Sequence, residues 1–435
     1  MNYRIRNVDI VTLDDRWGTL RNSELGIADG RVAYIGQDGA GDYTGERDWE
    51  VIDGTGMICM PGLINTHNHA AMSLLRGYAD DLPLQPWLNE RIWPVEARMT
   101  PEDVYWGSLL AIVEMLKGGT TCFADMYFHM DEVARACRDS GIRAVLSRGL
   151  IGGRGEATDQ QTLAEGLQFA LEWRGQAGGR IQTMLAPHAP YTCPEPFLKT
   201  IIDAAEQHDL AIHIHLAETK VEFDEMMEQR GTTPILWVES LGLFERPVLA
   251  AHCVHVTEQD IEVLARMQGG VAHDPTGNLK LASGLAPIAD MLQAGVTVAL
   301  GTDGAASTNH LGMFKEIRLA SLLQKNATRN AAAIPARMAL QLGTREGGKA
   351  VGQPELGHLY PGGPADCILV DARKSHLTPA HDPESLLAYS AVESDVRMVW
   401  IAGELVVKDG ICTRIDEQEV LRMAQRCAER ITAAS

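Results

Sequence analysis

The sequence predicts an α/β fold in which a (β/α)8 barrel of the TIM type is inserted into a small β-sandwich formed by both chain ends. The central part of the 435-residue chain repeats a strand-then-helix unit eight times, and eight such parallel units close into a barrel. Each end segment carries strand patterns but is too short to enclose a core of its own. We therefore predict a composite sandwich of residues 1–59 and 361–435 and a catalytic barrel domain of residues 60–360.

Both chain ends contain β-hairpin patterns. Apolar and polar residues alternate over residues 3–13, and Asp29 and Gly30 separate two apolar runs further along the chain. An Asp-Gly pair in this position is a strong signal of a two-residue hairpin turn. Towards the other end, residues 365–371 form a compact apolar strand and residues 396–409 form a second hairpin pattern. These patterns indicate that the two ends fold together as one β module.

The barrel prediction rests on eight short apolar runs separated by helical patterns. One helix is predicted to begin with Thr100 as cap and Pro101 in its first turn, and to end before Gly118. Other helices are predicted to end at Gly141, Gly242, Gly269 and Gly295. The predicted strands are residues 62–67, 120–126, 143–148, 181–188, 211–216, 248–252, 270–273 and 297–302.

Composition favours a soluble enzyme and argues against several other classes of protein. The 38 basic and 58 acidic side chains give a net charge of −20, which repels nucleic acids and anionic membrane surfaces. The eight cysteines form no Cys-x-x-Cys pair, which is typical of reduced thiols in a cytosolic protein. No apolar run reaches the ~20 residues that span a bilayer, and the N-terminus lacks a signal-peptide pattern. We therefore predict a cytoplasmic protein that acts on a small molecule.

Side chains able to bind metal or transfer protons occupy the ends of the predicted strands. The first strand ends with His67 and His69, which leave the strand on the same face because its period is two. The fifth strand ends with His215, and the eighth is followed by Asp303. Further residues at strand ends are Arg148, His188, Glu218, His252 and His273. Barrel enzymes draw catalytic residues from the C-terminal ends of several strands, and three imidazoles with one carboxylate suit zinc or ferrous iron.

Each of these residues also has a structural interpretation. A His-x-His pair taken alone is more often a pair of satisfied histidines than a pair of metal ligands. His213 lies on the same strand face as His215, and we predict that it fills a deeper layer of the barrel. Asp303 taken alone could cap the helix that follows it. The convergence of four suitable side chains at strand ends favours a metal site.

Several motifs in combination resemble those of a known enzyme superfamily. They are residues 61–76, 93–96, 125–127, 215–218, 251–253, 278–281 and 301–307. With these motifs the chain resembles the amidohydrolase superfamily and, within it, the 5'-methylthioadenosine/S-adenosylhomocysteine deaminases. The resemblance covers nearly the whole chain, including the split β-sandwich at its two ends.

The resemblance implies one divalent metal held by His67, His69, His215 and Asp303. Zn2+ is the expected ion, with Fe2+ as the alternative. We find no lysine at a strand end that could be carbamylated to bridge a second metal, which agrees with a mononuclear site. Related enzymes are often homo-oligomers, and we expect the same of this chain.

The resemblance also assigns residues to the substrate. It places Glu96, Arg148 and His188 on the nucleoside, and Glu218 and Asp303 beside the reacting ring. Glu96 suits a ribose because a carboxylate can accept hydrogen bonds from two neighbouring hydroxyls. The expected substrate is therefore a nucleoside.

The predicted reaction is hydrolytic deamination at C6 of the adenine of 5'-methylthioadenosine, S-adenosylhomocysteine or adenosine, which gives the inosyl product and ammonia. A divalent metal lowers the pKa of bound water to about 7 and so makes a nucleophile available at neutral pH. Asp303 is predicted to ligate the metal and accept the water's proton, and Glu218 to protonate the ring nitrogen. His252 is predicted to hydrogen-bond the attacking oxygen without being a ligand.

Two other functions are left open by the sequence. The same metal centre could hydrolyse another aminated or halogenated ring, of the guanine, pterin or s-triazine type. A barrel that has lost catalysis could serve as a binding or assembly subunit. Such a barrel is expected to lack some metal ligands, whereas all four are present here.

Substrate preference rests on fewer residues. Trp87, Trp93 and Met126 could supply an apolar wall for a 5'-thioether, although such residues are more often plain core. Arg154 could meet the carboxylate of a homocysteine tail, but its simplest interpretation is a surface arginine. We therefore expect a 5'-modified adenosine without ranking the 5' substituents.

The loop after the seventh strand departs from the pattern of the resembling family. This chain has Asp274 and Gly277, where related enzymes more usually have Asn or Cys and Ser, respectively. An added carboxylate and a lost hydroxyl beside the pocket could change the substrate preference while leaving the metal site intact.

Overall fold

The computed structural model describes residues 1–41 and 48–433, and its strands form two sheets. Residues 42–47 and 434–435, which belong to the predicted end module, lie outside the described residues. The strands in chain order are β1 Asn2–Val11, β2 Thr19–Ala28, β3 Arg31–Gln37, β4 Trp49–Asp53, β5 Met57–Pro61, β6 Leu63–Asn68, β7 Thr120–Tyr127, β8 Arg143–Leu150, β9 Ile181–Pro187, β10 Ala211–Leu216, β11 Val248–His252, β12 Gly269–His273, β13 Val298–Leu300, β14 Cys367–Asp371, β15 Val396–Ile401, β16 Glu404–Lys408 and β17 Ile411–Cys412.

Helices occupy most of the connections between the strands. The α-helices are α1 Leu84–Pro86, α2 Trp93–Glu96, α3 Pro101–Lys117, α4 Met130–Ser140, α5 Glu156–Trp173, α6 Glu195–Gln207, α7 Lys220–Arg230, α8 Pro234–Ser240, α9 Glu258–Arg266, α10 Pro275–Lys280, α11 Ile288–Gln293, α12 Ala305–Thr308, α13 Met313–Thr328, α14 Ala336–Leu342, α15 Arg345–Ala350, α16 Pro383–Tyr389 and α17 Glu417–Thr432. Short 3-10 turns cover Ala70–Leu75, Leu243–Glu245, Ser375–Leu377 and Glu393–Asp395, and a π-helical turn covers Trp87–Ile92. In the described ranges, none of the helices combines the length and apolarity that a bilayer crossing demands.

Strands from both chain ends share one sheet. Among the described residues its order is β17-β16-β15-β14-β5-β1-β2-β3, with β4 paired to β1. The antiparallel ladder between β5 and β14 joins the two ends of the chain. Both predicted hairpin turns are confirmed, since Asp29 and Gly30 have φ of 51° and 78°, and Ala402 and Gly403 have φ of 49° and 73°. Two-residue hairpin turns of this kind require such left-handed residues.

The central strands form the predicted parallel barrel, in the order β6 to β13. All eight strands match the predicted runs to within two residues at each end, and β13 is the shortest of them, with only Val298–Leu300 of the predicted residues 297–302. It ends early because the chain changes pairing partner there. The N–H of Gly301 still donates to the carbonyl of His273 in β12, but the N–H groups of Thr302 and Asp303 donate to the carbonyl of His67 in β6.

The seam between the last and first barrel strands is joined through Asn65 in β6. Its Nδ2 donates to the hydroxyl oxygen of Thr302 over 2.7 Å, and its Oδ1 accepts from the Thr302 N–H over 3.0 Å. Asn65 and Thr302 are both fully buried, so this pair satisfies polar groups that water cannot reach. The seam therefore fixes Asp303, the next residue, beside the end of the first strand.

Helix boundaries follow the capping signals in the sequence. Thr100 and Asp103 form a reciprocal capping box at the start of α3, and Gly141 closes α4 with a φ of 84°. The C-terminal helix α17 was not among the predicted elements. Its Glu417 accepts from the Lys117 ammonium at the end of α3 over 2.6 Å, which ties the last helix to the barrel.

A buried ion pair connects the end sheet to the barrel at the side opposite the strand ends. Arg143 at the start of β8 donates from Nε and Nη2 to the carboxylate of Asp366 over 2.6 and 3.0 Å. Asp366 also accepts from the N–H of Ala402 in the turn between β15 and β16 over 2.8 Å. The same carboxylate thus holds a barrel strand and a hairpin of the end sheet.

Candidate metal centre and active site

The four predicted ligands meet at the C-terminal end of the barrel. His67 and His69 come from the end of β6, His215 from the end of β10, and Asp303 from the residues after β13. The Nε2 atom of His69 lies 3.3 Å from Asp303 Oδ1 and 3.4 Å from His215 Nε2. The Nε2 atom of His67 lies 3.8 Å from the same Asp303 oxygen. Four side chains from three parts of the chain therefore point at one small volume.

The other ring nitrogen of each histidine is held by a hydrogen bond that fixes its orientation. His69 Nδ1 lies 2.6 Å from the Met126 carbonyl oxygen, and His215 Nδ1 lies 2.7 Å from the His188 carbonyl oxygen. A carbonyl oxygen can only accept, so each Nδ1 carries the hydrogen and donates it. In this tautomer the Nε2 atom is the one available to a metal.

His213 performs the same task for His67. His67 Nδ1 lies 2.9 Å from His213 Nε2, and His213 Nδ1 lies 3.4 Å from the Ser147 hydroxyl. The Ser147 hydroxyl donates onward to the Asp125 carbonyl oxygen over 2.9 Å, so it accepts from His213. His67 is therefore the donor to His213, which lies directly behind it in the barrel.

The donor set fits a divalent metal. Burial, and then the neighbouring His215, hold the pKa of His67 well below its usual range. Burial, and then His188, do the same to the pKa of His215. Both imidazoles are therefore neutral, and the Nε2 atom of His67 has no hydrogen-bond partner among the described residues. Neutral nitrogens and a carboxylate that face one another without a shared proton form the arrangement that a cation stabilises.

Asp303 is held in place by its own loop. Its φ is 60°, a left-handed conformation that is uncommon for residues other than glycine. Oδ1 accepts from the N–H of Gly304 over 2.7 Å, and Oδ2 accepts from the Ser307 hydroxyl over 2.6 Å. A Cβ atom at Gly277 would lie 3.2 Å from Oδ2. The glycine that departs from the family pattern therefore leaves more room beside this carboxylate.

Glu218 lies beside the four predicted ligands in a buried position. Burial, and then the nearby Asp303, raise the pKa of Glu218 to about 8, so this carboxyl is mostly protonated at neutral pH. The Ser283 hydroxyl lies 3.5 Å from Glu218 Oε1. The backbone N–H of Glu218 donates to Glu222 over 2.8 Å, which fixes the residue at the strand end.

His252 at the end of β11 faces Glu218 with one nitrogen and a polar pair with the other. Its Nε2 atom lies 3.8 Å from Glu218 Oε2. Its Nδ1 atom lies 3.0 Å from the Asn278 side-chain oxygen and 3.4 Å from the carboxylate of Asp274. Asp274 is fully buried, and burial raises its pKa well above its usual range. The second residue that departs from the family pattern thus lies behind His252, not in the pocket.

A cavity of about 670 Å³ opens above the four predicted ligands. All three residues predicted to contact the nucleoside line it, namely Glu96, Arg148 and His188. The predicted wall residues Trp87, Trp93 and Met126 line it as well, and so does Arg154. His273 also lies at a strand end, but among the described residues it is fully buried and is not one of those that line the cavity.

Residues that the sequence analysis did not single out contact the predicted substrate-binding residues. Tyr127 donates its hydroxyl to Glu96 Oε1 over 2.5 Å, and Arg148 forms an ion pair with Glu165 in α5. His188 Nδ1 lies 2.9 Å from the Thr192 hydroxyl. Tyr127 belongs to one of the motifs that carry the family resemblance, and that motif was the one sequence signal for it.

Comparisons with known proteins agree with this geometry. The sequence profile of the amidohydrolase family matches residues 58–406. A 5-methylthioadenosine/S-adenosylhomocysteine deaminase of Pelotomaculum thermopropionicum is 48% identical over 430 residues, which cover 99% of each chain. A 5'-deoxyadenosine deaminase of Methanosarcina mazei is 48% identical over 429 residues, 99% of this chain and 98% of the relative. Among solved structures, an adenosine deaminase from Xanthomonas campestris with bound zinc has a TM-score of 0.94 at 33% identity and covers 99% of this chain and 98% of its own.

Proposed function

The chain belongs to the amidohydrolase family, and we propose that it is a metal-dependent deaminase acting at C6 of the adenine of adenosine or its 5'-modified derivatives. The substrates are 5'-methylthioadenosine, S-adenosylhomocysteine, adenosine or a related 5'-deoxynucleoside, and the products are the inosyl compound and ammonia. One observation carries the proposal: neutral imidazoles and a carboxylate converge at the floor of a cavity of about 670 Å³, beside the carboxyl of Glu218. The full-length similarity to two kinds of adenosine-type deaminase supports the same reaction.

His67, His69, His215 and Asp303 would hold the metal, which we propose to be zinc. Three nitrogen ligands with one oxygen ligand are a common zinc set, and the bound zinc of the Xanthomonas campestris enzyme is consistent with this choice. The metal would supply a water of lowered pKa as the nucleophile.

Asp303 and His252 act on the attacking water. Water adds to C6 and must lose a proton as its oxygen forms the new bond, and the Asp303 carboxylate accepts that proton. The Nε2 atom of His252 lies 3.8 Å from the carboxyl of Glu218. It accepts a hydrogen bond from the water and so orients it. Its hydrogen-bonded Nδ1 keeps the acceptor on Nε2.

Glu218 acts on the ring. A proton must reach the ring nitrogen next to C6 as the tetrahedral centre forms, and a carboxyl with a pKa of about 8 carries that proton at neutral pH. The C6–N6 bond then breaks as the proton taken up by Asp303 passes to the amine, which leaves as ammonia. The C6 hydroxyl becomes a carbonyl, and its proton returns to Glu218. The raised pKa therefore suits the acid that this reaction needs.

The upper part of the cavity suits the sugar and its 5' substituent. Glu96 has one carboxylate oxygen held by Tyr127 and can accept from ribose hydroxyls. His188 and Arg148 add polar contacts, and Trp87 and Trp93 line the wall. This mixture of an apolar wall with a few polar groups is typical of sites for small molecules.

A substrate panel tests the proposal. Zinc-loaded enzyme is assayed for ammonia release from 5'-methylthioadenosine, S-adenosylhomocysteine, 5'-deoxyadenosine, adenosine, guanine and an amino-triazine, and for chloride release from a chloro-triazine. We expect kcat/KM to be highest on one of the four adenosine compounds, kcat to be about 10²–10⁴-fold lower in Glu218→Gln, and activity to be lost after chelation. Activity confined to guanine or the triazines would overturn the proposal in favour of the alternative ring hydrolysis.

A further inference from the structure

Tyr127 connects the barrel wall to the residue predicted to bind ribose. It is the last residue of β7 and is only 7% exposed. Its hydroxyl donates to Glu96 Oε1 over 2.5 Å, a length typical of a hydroxyl bound to a carboxylate. The hydroxyl also lies 3.6 Å from the sulfur of Met99. Both contacts of the Tyr127 hydroxyl are therefore with the segment that carries Glu96.

Glu96 itself lies outside the barrel framework. It ends α2, which follows the π-helical turn Trp87–Ile92 in the excursion between β6 and α3. A carboxylate on such a segment has several rotamers unless a neighbour selects one. Within the described part of the chain, the Tyr127 hydroxyl is the hydrogen-bond donor to this carboxylate, and the Oε2 atom of Glu96 is left for a ligand.

We propose that Tyr127 is a specificity-determining residue, which positions Glu96 so that the site selects nucleosides with a 2',3'-diol. The inference rests on the proposed function, because it assigns Glu96 to the ribose of an adenosine. Tyr127 acts through Glu96 and is therefore a positioning residue. Its hydroxyl holds one carboxylate oxygen, and the vicinal hydroxyls of the sugar donate to the carboxylate from the cavity side.

The Tyr127 hydroxyl also affects the charge state of Glu96, and this effect favours ribose binding in the same way as the fixed orientation does. Burial raises the pKa of Glu96 to about 7, and the Tyr127 hydrogen bond acts in the opposite direction. Loss of the hydroxyl would leave the carboxyl both less oriented and more often protonated. A protonated carboxyl is the weaker acceptor for two sugar hydroxyls.

Tyr127→Phe tests the proposal because it removes one oxygen atom and keeps the ring. Wild type and variant are compared on adenosine and on 2',3'-dideoxyadenosine, which differs in the sugar hydroxyls. We expect kcat/KM on adenosine to fall about tenfold to a hundredfold, as for loss of a hydrogen bond to a charged group. The fall should lie in KM with kcat retained, and kcat/KM on the dideoxynucleoside should stay within about twofold of wild type.

Tyr105→Phe is the matched control. Tyr105 in α3 also donates its hydroxyl to a carboxylate, that of Asp139, over 3.0 Å, but it does not line the cavity. Its loss should leave the adenosine to dideoxyadenosine ratio unchanged. In a double variant with Glu96→Gln, Tyr127→Phe should add no further loss on adenosine.

The possible failures are distinguishable. If wild type deaminates none of the adenosine compounds of the substrate panel, the proposed function is wrong and this inference falls with it. If it accepts only a 5'-modified compound, that compound and its 2',3'-dideoxy analogue replace the test pair. If wild type is active but Tyr127→Phe loses the same factor on both nucleosides, or loses nothing on adenosine, the role of Tyr127 is overturned while the proposed function stands. Tyr127→Leu also lacks the donor and replaces Tyr127→Phe if the latter is not recovered folded with full metal content.

Discussion

The Nδ1 atoms of the histidines shape the candidate metal centre as much as the Nε2 atoms that face it. Carbonyl oxygens of Met126 and His188 orient His69 and His215, and His213 orients His67. Such outer contacts fix the tautomer and the ring direction before any ligand binds. A carbonyl contact cannot be removed by substitution, whereas the imidazole of His213 can.

His213→Phe is therefore expected to weaken metal binding. The substitution keeps a ring of similar size but removes the acceptor for the His67 Nδ1 hydrogen, and loss of such an outer partner typically costs about 10–100-fold in metal affinity. Competition of the metal-free protein with a chromophoric chelator for Zn2+ measures the effect. His381→Phe, at an exposed histidine, is the control, and equal affinities of His213→Phe and wild type would refute the expectation.

Glu218 is expected to determine how the reaction rate depends on pH. Its pKa is raised to about 8, so its proton is present below that pH and is lost as pH rises through it. If Glu218 is the acid, kcat on an adenosine substrate should fall on the alkaline side of about pH 8. Glu218→Gln should lower kcat by about 10²–10⁴-fold and remove that alkaline limb from the residual activity. The test is to record pH–rate profiles of both proteins over the pH range in which melting curves show that they are folded. If kcat of the variant falls at the same alkaline pH as that of wild type, the fall is due to another group.

The chain turns sharply at the strand ends that present the candidate ligands and catalytic residues. Ala217 after β10, His252 and Cys253 at the end of β11, and Asp303 after β13 all have positive φ, between 46° and 73°. Such conformations in residues other than glycine cost about 1–3 kcal/mol each and persist where the surroundings enforce them. Here the enforcing contacts include the N–H groups of Cys253 and Val254, which donate to carbonyls at the end of the neighbouring strand. The strand bodies therefore supply the rigidity that these turns need.

At the opposite ends of the strands, the ion pair of Arg143 with Asp366 is expected to contribute to stability. Asp366→Ala would leave the guanidinium of Arg143 without its bidentate partner, and the Arg143 side chain is only 15% exposed. Removing one partner of such a buried pair typically destabilises by about 3–5 kcal/mol. We expect a lower free energy of unfolding in urea but an unchanged kcat. Asp371→Ala is the matched control, because its partner Arg373 is 57% exposed and the expected loss is below about 1 kcal/mol. A loss as small as that of the control would contradict the structural part assigned to Asp366.

The sequence predicted most of the elements because their signals are local. Alternation, Asp-Gly turns and helix caps depend on a few adjacent residues, and the eight barrel strands and both hairpins followed from them. Strand ends also indicated His67, His69, His215 and Asp303, since parallel strands place their C-terminal ends together. Their assignment as ligands stays a prediction, although the structure brings them to one point.

Contacts between distant parts of the chain could not be predicted in the same way. The period of β10 gave the face of His213, but its contact with His67 depends on which strands are opposite each other across the barrel. Asn65 and Thr302 are 237 residues apart in sequence, and nothing local marks their pairing. The hydrogen bond of Tyr127 to Glu96 depends on how the α1 to α2 excursion folds back. These contacts are properties of the tertiary structure.

A metal at the candidate site would connect the first strand of the barrel to the segment that follows its last strand. His67 and His69 lie at the end of its first strand, His215 on its fifth, and Asp303 beyond its eighth. Asn65 of the first strand hydrogen-bonds to Thr302 at the seam between the first and last strands. A ligand that binds the native state and not the unfolded chain stabilises by mass action, about 4.1 kcal/mol at a concentration 1,000 times its Kd. A metal held by these four residues would therefore couple its binding to closure of the whole barrel.

Removal of the metal should lower the melting temperature of the entire protein. Chelation followed by dialysis is expected to reduce Tm by several degrees, and added Zn2+ should restore it in proportion to the logarithm of its free concentration. Asp303→Ala should already melt near the chelated value and should respond little to chelator, because a ligand from beyond the last strand is missing. Calorimetry of both proteins with and without chelator measures this. If chelated and zinc-loaded wild type melt at the same temperature while metal analysis reports a difference in bound zinc, the ion does not stabilise the barrel as the seam geometry predicts.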